Sequence, residues 1–251
     1  MRPLPHKMVI SLRRRAFLGV AGLSVLSFLL TPPLANAAAP EEATRAALEQ
    51  WLANSAKVKS VHATFDQLRQ LKSVRRPLKR EGKLWMQKPA DFRWQIGAGD
   101  TDSPDLLVQR AADGGLWVLD GKEKKARVWT KEALEAQEKE GKGQGVAVMQ
   151  SMQAVSLAEF ESKFKLREGE PDPAYPGIWT FTLGLKDNKA AIFVTKVTLR
   201  VNVAEGSLHA FTLHMRDGSS MSTVIRSYQL NATLPASVFK VRSDGYAIEA
   251  Q

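Results

Sequence analysis

Hydrophobic and polar residues alternate along most of the chain after residue 60, which is the pattern of strands with one apolar and one polar face. In the clearest run, Phe92, Trp94 and Ile96 are interleaved with Arg93 and Gln95. Alternating runs begin at Val61, Leu84, Phe92, Leu116, Trp179, Phe193, Phe211 and Val224. Turn dipeptides such as Asp-Gly and Glu-Gly separate the runs, so the pattern predicts an antiparallel sheet and not a parallel α/β fold.

The residues that precede the strands have helical spacing. A proline and two acids at 40–42 are typical of a helix start, and Leu48, Trp51 and Leu52 follow on one face. They predict an amphipathic helix of about fifteen residues, whose apolar face covers a core or a ligand.

Two further segments interrupt the predicted strands. Residues 121–143 are rich in charge, and Lys131–Glu140 within them is typical of a short solvated helix or a mobile loop. Residues 169–177 contain three prolines and are predicted to form a loop before the next strand.

Short helices are also predicted between these two segments. Val146, Met149 and Met152 recur at helical spacing, and such a stripe fits either plain core or contact with an irregular apolar ligand. Ser156–Glu159 has the capping-box pattern that starts a helix.

Composition narrows the classes of protein that the chain can belong to. Its 251 residues are 44% hydrophobic and 25% charged, which suits one globular domain or at most two. Cysteine is absent, and this excludes disulfide scaffolds, thiolate zinc sites, iron–sulfur clusters and a lipid-modified N-terminal cysteine.

Residues 1–37 have the order of a secretory signal peptide. Three arginines at 13–15 precede an uncharged run over 16–30, and small residues at 35–37 supply a cleavage point. The apolar run is short for a bilayer span, although an uncleaved anchor is the alternative. Arg14-Arg15 followed by Ala-Phe-Leu resembles a twin-arginine signal, with ordinary Sec export as the other route.

The exported chain would have a lower net charge than the full sequence. Removal of the five basic residues of the signal lowers the net charge from +10 to +5 and leaves residues 38–251 as a single domain. In a cell with two membranes the exported chain would be periplasmic. This location argues against a nucleic-acid partner.

The sequence offers no catalytic or metal-binding constellation. It has no Gly-x-Ser-x-Gly elbow and no phosphate-binding glycine loop, and nothing singles out a pair of carboxylates. His209 and His214 are five residues apart on a predicted strand and should point to opposite faces, so they do not predict a chelating pair. We therefore expect neither an enzyme nor a cofactor.

A basic run extends from Arg69 to Arg80 without an acid. At the end of a hairpin such a run fits a solvated surface, and contact with an anionic membrane or an acidic partner is the alternative.

The aromatic residues indicate that the predicted sheet has a large apolar surface. Five tryptophans, at 85, 94, 117, 129 and 179, fall in predicted strands, and the predicted helices are a thin cover for that much apolar surface. A second packed sheet would bury them, and so would a concave apolar surface that holds a greasy ligand.

The order of several motifs resembles the periplasmic lipoprotein carrier family LolA. The motifs are Ser60–Gln67 after the amphipathic helix, Gly82–Trp85, Lys88–Trp94, Leu116–Asp120, Asp217–Ile225, the Asn231, Leu234-Pro235 and Phe239 ending, and Asp244-Gly245. The resemblance covers most of residues 41–250.

This resemblance implies a mainly β fold with some α: an incomplete antiparallel β-barrel, or half-barrel, covered by the N-terminal helix and short lid helices. It implies a periplasmic monomer that shields the acyl chains of a lipoprotein or related lipid cargo, between an inner-membrane donor and an outer-membrane receptor. The residues expected to line the hydrophobic cavity are Phe65, Leu84, Trp85, Phe92, Trp94, Trp117, Met149 and Met152. Because Leu84 and Trp85 are adjacent on a strand, only one of them can face inward.

Lys88 is the expected lid contact and departs from the family pattern. The family has an arginine at this position, before the proline, and a lysine cannot make the planar bidentate contact of an arginine. A sensor or regulator domain on the same scaffold, which binds lipid or a membrane protein, is the alternative to a carrier. A hydrolase of lipid or cell wall is a third hypothesis.

Overall fold

The structure is a computed structural model that describes residues 40–97, 104–139 and 156–251. Its helices are α1 (Pro40–Lys57), α2 (Lys131–Lys139), α3 (Leu157–Lys163), α4 (Asn188–Phe193) and a 3-10 helix (Ala236–Phe239). Its strands are β1 (Ser60–Gln70), β2 (Leu78–Gln87), β3 (Asp91–Ile96), β4 (Leu106–Arg110), β5 (Leu116–Asp120), β6 (Lys125–Trp129), β7 (Phe164–Pro171), β8 (Ile178–Leu185), β9 (Val194–Asn202), β10 (Ser207–Met215), β11 (Ser220–Leu230) and β12 (Ala247–Ala250).

All strands of the described ranges belong to one sheet, in the order β12-β6-β5-β4-β3-β2-β1-β11-β10-β9-β8-β7. Neighbouring strands are antiparallel, except that β12 pairs in parallel with β6. Two meanders, β2 to β6 and β7 to β11, are therefore joined through β1, which pairs with both β2 and β11. The edge strands do not meet, and the predicted incomplete antiparallel barrel is confirmed.

Helix α1 covers the concave face of this sheet. Its apolar stripe of Leu48, Trp51 and Leu52 is almost fully buried, as the helical spacing predicts. Trp51 meets Phe160 of α3 edge to face, with ring centroids 6.5 Å apart. The predicted helix start at Ser156 is confirmed, because the Ser156 hydroxyl accepts a hydrogen bond from the Glu159 backbone at 3.2 Å and caps α3.

The N-terminal end of α1 is tied to the β7 edge of the sheet. The Thr44 hydroxyl donates to the Gly169 carbonyl at 2.9 Å. Arg45 forms an ion pair with Glu161 of α3 at 2.7 Å. The helix is thus fixed across the concave face at this end by contacts to two different elements.

A polar layer under the C-terminal segment covers part of the convex face. Gln109 and Arg93 are buried there and donate to the Phe239 and Val238 carbonyls, at 2.5 and 3.1 Å. A small apolar cluster of Leu107, Leu119 and Ala126 lies beside them, with Trp117, Val241 and Tyr246 packed against it.

Some elements differ from the sequence-based prediction. Strand β6 lies inside the charged segment 121–143, because charged residues alternate there with the buried Ala126. Strand β7 extends to Pro171, into the predicted loop, and as an edge strand it tolerates polar residues on both faces. Helix α4 ends at Phe193, so β9 begins one residue after the predicted strand start. The predicted helix at Met149 and Met152 lies outside the described residues.

Candidate functional site

An apolar cavity of about 120 Å³ lies between the C-terminal half of α1 and the concave face of the sheet. Strands β1, β2, β3, β10 and β11 form its wall, and Trp51, Ser55 and Val58 close it from the helix side. A cavity of about 150 Å³ in another protein holds one benzene molecule, so this cavity suits an apolar group of similar size.

Three of the predicted cavity residues line this space. Leu84, Phe92 and Trp94 face it from β2 and β3, where each alternates with a residue on the other face. Phe65 lies directly behind them: its ring is fully buried and stacks on Trp94 with centroids 4.1 Å apart. Phe65 therefore supports the wall and does not line the cavity.

Two predicted cavity residues lie on the opposite face. Trp85 stacks with His62 at 5.3 Å, and the Arg93 guanidinium lies 5.7 Å from its ring centre. Trp117 packs against the small convex-face cluster under the C-terminal segment. Neither is among the lining residues. Met149 and Met152 fall outside the described part of the chain.

Lys88 contacts the end of α1 that closes the cavity. Its Nζ donates to the backbone carbonyls of Ser55 and Ala56, at 3.1 and 2.8 Å. These carbonyls belong to the last turn of a helix, where the helix dipole favours a cation, and the Ser55 carbonyl also accepts from the Val58 backbone at 3.1 Å. Burial lowers the pKa of the Lys88 ammonium from its ordinary value. A lysine can thus hold the helix end without the bidentate geometry of an arginine. We call these two hydrogen bonds the latch.

The β9–β10 turn holds the same helix end from the other side. The Asn54 side chain donates to the Val203 carbonyl at 2.9 Å. Gly206 has a φ of +70° and lies so close to Asn54 and Ser55 that a Cβ atom there would overlap the helix backbone. The helix end is therefore held between Lys88 and Gly206.

A polar cluster borders the cavity on the β10–β11 side. The Tyr228 and Ser207 hydroxyl oxygens lie 2.8 and 3.1 Å from the Glu205 carboxylate and 2.6 Å from each other, so their two protons are shared among these three contacts. The His209 ring nitrogen lies 3.1 Å from the Tyr228 oxygen. Because Tyr228 stands between Ser207 and His209, this arrangement is not a serine–histidine nucleophile pair.

A β-bulge at His209 changes which residues of β10 face the cavity. Leu208 pairs with Val201 and Phe211 pairs with Leu199, so two residues three apart on β10 share the cavity face. Strict alternation from Phe211 would instead place Leu208 on the other face. No pattern in the sequence indicates the bulge at His209.

We expect His209 to make the protein less stable at acidic pH. Burial, reinforced by the charge of Arg200, lowers the pKa of His209 from its ordinary 6.5, while Glu205 acts in the opposite direction. The unfolded chain takes up this proton near pH 6.5 and the folded chain only at lower pH, so the free energy of unfolding falls as pH decreases through this window.

Urea unfolding at about pH 7 and about pH 5 checks this expectation. His209→Gln should lose less stability over this interval than the unmodified protein. His214, whose pKa burial also lowers, remains in both proteins and cancels in the comparison. Equal losses in the two proteins would contradict the assignment.

The described residues contain no group of three side chains suited to bind a metal ion. Among their helices, none is long and apolar enough to cross a membrane.

A family model described as "Outer membrane lipoprotein carrier protein LolA" matches residues 56–139, the segment that holds β1 to β6 and the latch lysine. Among proteins with curated functions, none matches the sequence.

Several solved structures are similar to the chain at low identity. An uncharacterized conserved protein from Thermus thermophilus is 7% identical with a TM-score of 0.48, over 83% of this chain and 99% of that chain. A putative outer membrane lipoprotein-sorting protein domain from Vibrio parahaemolyticus is 11% identical with a TM-score of 0.41, over 79% and 96%. Lipoprotein LppX from Mycobacterium tuberculosis is 12% identical with a TM-score of 0.40, over 77% and 97%.

Proposed function

We propose that this LolA-like protein is a periplasmic carrier that shields the acyl chains of a lipoprotein, or of a related amphiphile, on the way to the outer membrane. The observation that carries the proposal is the apolar cavity beneath α1, closed by the latch from Lys88 to Ser55 and Ala56. The match of residues 56–139 to the LolA family model supports it.

The chemistry of the cavity suits a hydrocarbon chain. Its wall is aliphatic and aromatic, with Leu84, Phe92 and Trp94 at the centre, and each methylene moved from water into such a wall gains about 0.8 kcal/mol. Polar groups, among them Lys88 and Tyr228, are also among the lining residues. An acyl tail would lie against the wall while the polar part of the cargo meets these groups.

The size of the cavity requires α1 to move. A cavity of about 120 Å³ holds an apolar group about the size of benzene and is too small for a long acyl chain, so the structure corresponds to a closed arrangement of α1. We propose that the C-terminal end of α1 lifts away from Lys88 when cargo binds. Its N-terminal end stays fixed through Thr44 and Arg45.

Weakening the latch should speed cargo exchange. Lys88→Met removes both hydrogen bonds to α1, and a contact to a helix C-terminus of this kind contributes about 0.3–1 kcal/mol. We expect release and uptake of a fluorescent fatty acid to become about two- to fivefold faster in stopped-flow measurements. Hydrogen exchange should also increase at residues 53–57.

A matched control distinguishes the effect of losing the latch from the effect of losing a positive charge. Lys57→Met removes an exposed lysine from the same helix end, where its Nζ donates to the Asn54 side chain at 3.0 Å. It should change the exchange rates less than Lys88→Met does, because both hydrogen bonds of the latch remain. If Lys88→Met exchanges cargo no faster than Lys57→Met, the latch does not control the cavity.

We further propose that residues 1–37 are a signal peptide removed on export, and that residues 38–251 act as a monomer without enzymatic activity or a cofactor. An inner-membrane donor would load the cargo and an outer-membrane receptor would take it.

Mass spectrometry of the native protein tests these proposals together. The protein is purified from the periplasm without detergent, and one part is extracted with organic solvent. We expect a stoichiometric acylated species in the extract and an intact chain that begins at Ala38. A protein that is empty and also fails to bind a fluorescent fatty acid would overturn the carrier function and favour a regulator domain on the same scaffold.

A further inference from the structure

The end of the sheet opposite the latch carries a concentration of exposed cations. The β1–β2 hairpin turns there, and Arg69, Lys72, Arg75, Arg76 and Arg80 are all exposed. No acidic residue lies between Arg69 and Arg80. We call this hairpin, the β10–β11 turn and α4 together the cationic end.

Contacts and register place these three elements side by side. Gln70 at the end of β1 pairs with Ser220 at the start of β11, and the Lys72 side chain comes within 3.9 Å of the position of a Cβ on Gly218. Arg216 in the β10–β11 turn donates to the Ala191 and Ile192 carbonyls of α4, at 3.0 and 2.8 Å.

Apolar side chains are exposed among these cations. Ile192 and Phe193 of α4 are 56% and 62% exposed, and Leu78 at the start of β2 is 51% exposed. Phe193 and Ile192 line a shallow open cleft together with Arg69 and Arg216. This end thus combines exposed hydrophobic side chains with positive charge, which is the composition of a surface that lies in a membrane interface.

Most of this charge is not neutralised within the protein. Lys79 forms an ion pair with Asp66 at 3.0 Å. Lys72, Arg75 and Arg76 form none with any residue of the described ranges. Asp217 in the β10–β11 turn accepts hydrogen bonds from Ser219, and its charge offsets part of the charge of Arg69.

We propose that the cationic end docks on an anionic phospholipid surface, a role that goes beyond carrying cargo and does not depend on the cavity. The hairpin cations meet the lipid phosphates, and Phe193 and Ile192 enter the headgroup region. The charges sit on long side chains at an exposed hairpin and do not surround a deep groove. Such an arrangement suits a fluid array of phosphates better than one acidic protein of fixed shape. In this orientation the latch end faces away from the bilayer.

Vesicle co-sedimentation tests the proposal with the exported chain purified from the periplasm. The probes are phosphatidylcholine vesicles with and without phosphatidylglycerol. We expect binding only to the vesicles that contain phosphatidylglycerol, and weaker binding as salt increases. Arg75→Glu with Arg76→Glu should lower the affinity at least about tenfold, and Phe193→Ser should lower it severalfold.

Two controls keep the result specific. Arg75→Lys with Arg76→Lys preserves the charge and should bind as the unmodified protein does. Lys122→Glu with Lys240→Glu makes the same charge change at exposed positions outside the cationic end and should have little effect.

Several outcomes would overturn the proposal. They are equal binding to both kinds of vesicle, an equal loss in the Lys122 and Lys240 variant, and binding to polyglutamate but to neither vesicle, which would identify an acidic protein as the partner. Fatty-acid binding is measured on every variant. Intact fatty-acid binding in the Arg75 and Arg76 variant shows that it folds and separates failure of this proposal from failure of the carrier function.

Discussion

Phe92→Glu is expected to lower the affinity for a fluorescent fatty acid by at least about a hundredfold. Phe92 is 9% exposed and faces the cavity from β3, beside Leu84 and Trp94. Its replacement removes an apolar contact worth about 1.5–3 kcal/mol and puts a carboxylate where an acyl chain would lie. A carboxylate without an ionic partner is costly to keep away from water, so cargo that covers it would carry that cost. Fluorescence titration measures the effect.

Two further variants make this result specific to the cavity. Ile248→Glu adds the same charge to an apolar residue of β12 that is 58% exposed and should leave the affinity unchanged. Ala63→Leu fills the cavity from β1 without adding charge and should also weaken binding, because Ala63 lines the same space. Fatty-acid affinity that survives in both Phe92→Glu and Ala63→Leu would place the cargo elsewhere.

Gly82→Ala is expected to lower the free energy of unfolding by about 3 kcal/mol. Gly82 lies opposite Phe65 in the β1–β2 pair, and the Phe65 ring covers it. A methyl group at this position would overlap that ring and also the Gln95 backbone oxygen. The ring cannot move aside easily, because it is fully buried and stacked on Trp94.

Urea unfolding of single and double variants tests this explanation. Phe65→Leu removes the ring but keeps an apolar side chain. If the overlap with the ring dominates, Gly82→Ala should cost clearly less when Phe65 is already leucine than it does alone. Purely additive effects, or a Gly82→Ala protein that unfolds at the same urea concentration as the unmodified one, would contradict the explanation.

The sequence predicted the strands of the cavity wall because their alternation is strong. In β3 the polar Arg93 and Gln95 separate Phe92, Trp94 and Ile96, so the inward face is unambiguous. In β2 both Leu84 and Trp85 are apolar, and alternation shows only that they face opposite sides. Their assignment follows from the structure, where Trp85 lies on the convex face with His62 and Arg93.

Other features depend on contacts between residues far apart in the sequence, which no periodic pattern of hydrophobic residues indicates. Trp117 lies under a C-terminal segment more than a hundred residues later in the chain, a pairing that no local pattern indicates. The cluster of Glu205, Ser207 and Tyr228 requires both the β9–β10 turn and the register of β11. Lys88 was identified through a family resemblance, and its contact with the α1 carbonyls became visible only in three dimensions.

The latch also affects how cargo would be handed over. Lys88 binds backbone oxygens of α1, and the acyl chain would lie beneath that helix, so a receptor need not compete for the hydrocarbon itself. A receptor that donates hydrogen bonds to the Ser55 and Ala56 carbonyls in place of Lys88 would raise the population of open carrier. Apparent affinity scales with the population of the binding-competent state. Such a receptor would therefore set the rates of uptake and release by opening the end of α1. The direction of transfer would depend on whether the cargo binds more tightly to the carrier or to the receptor.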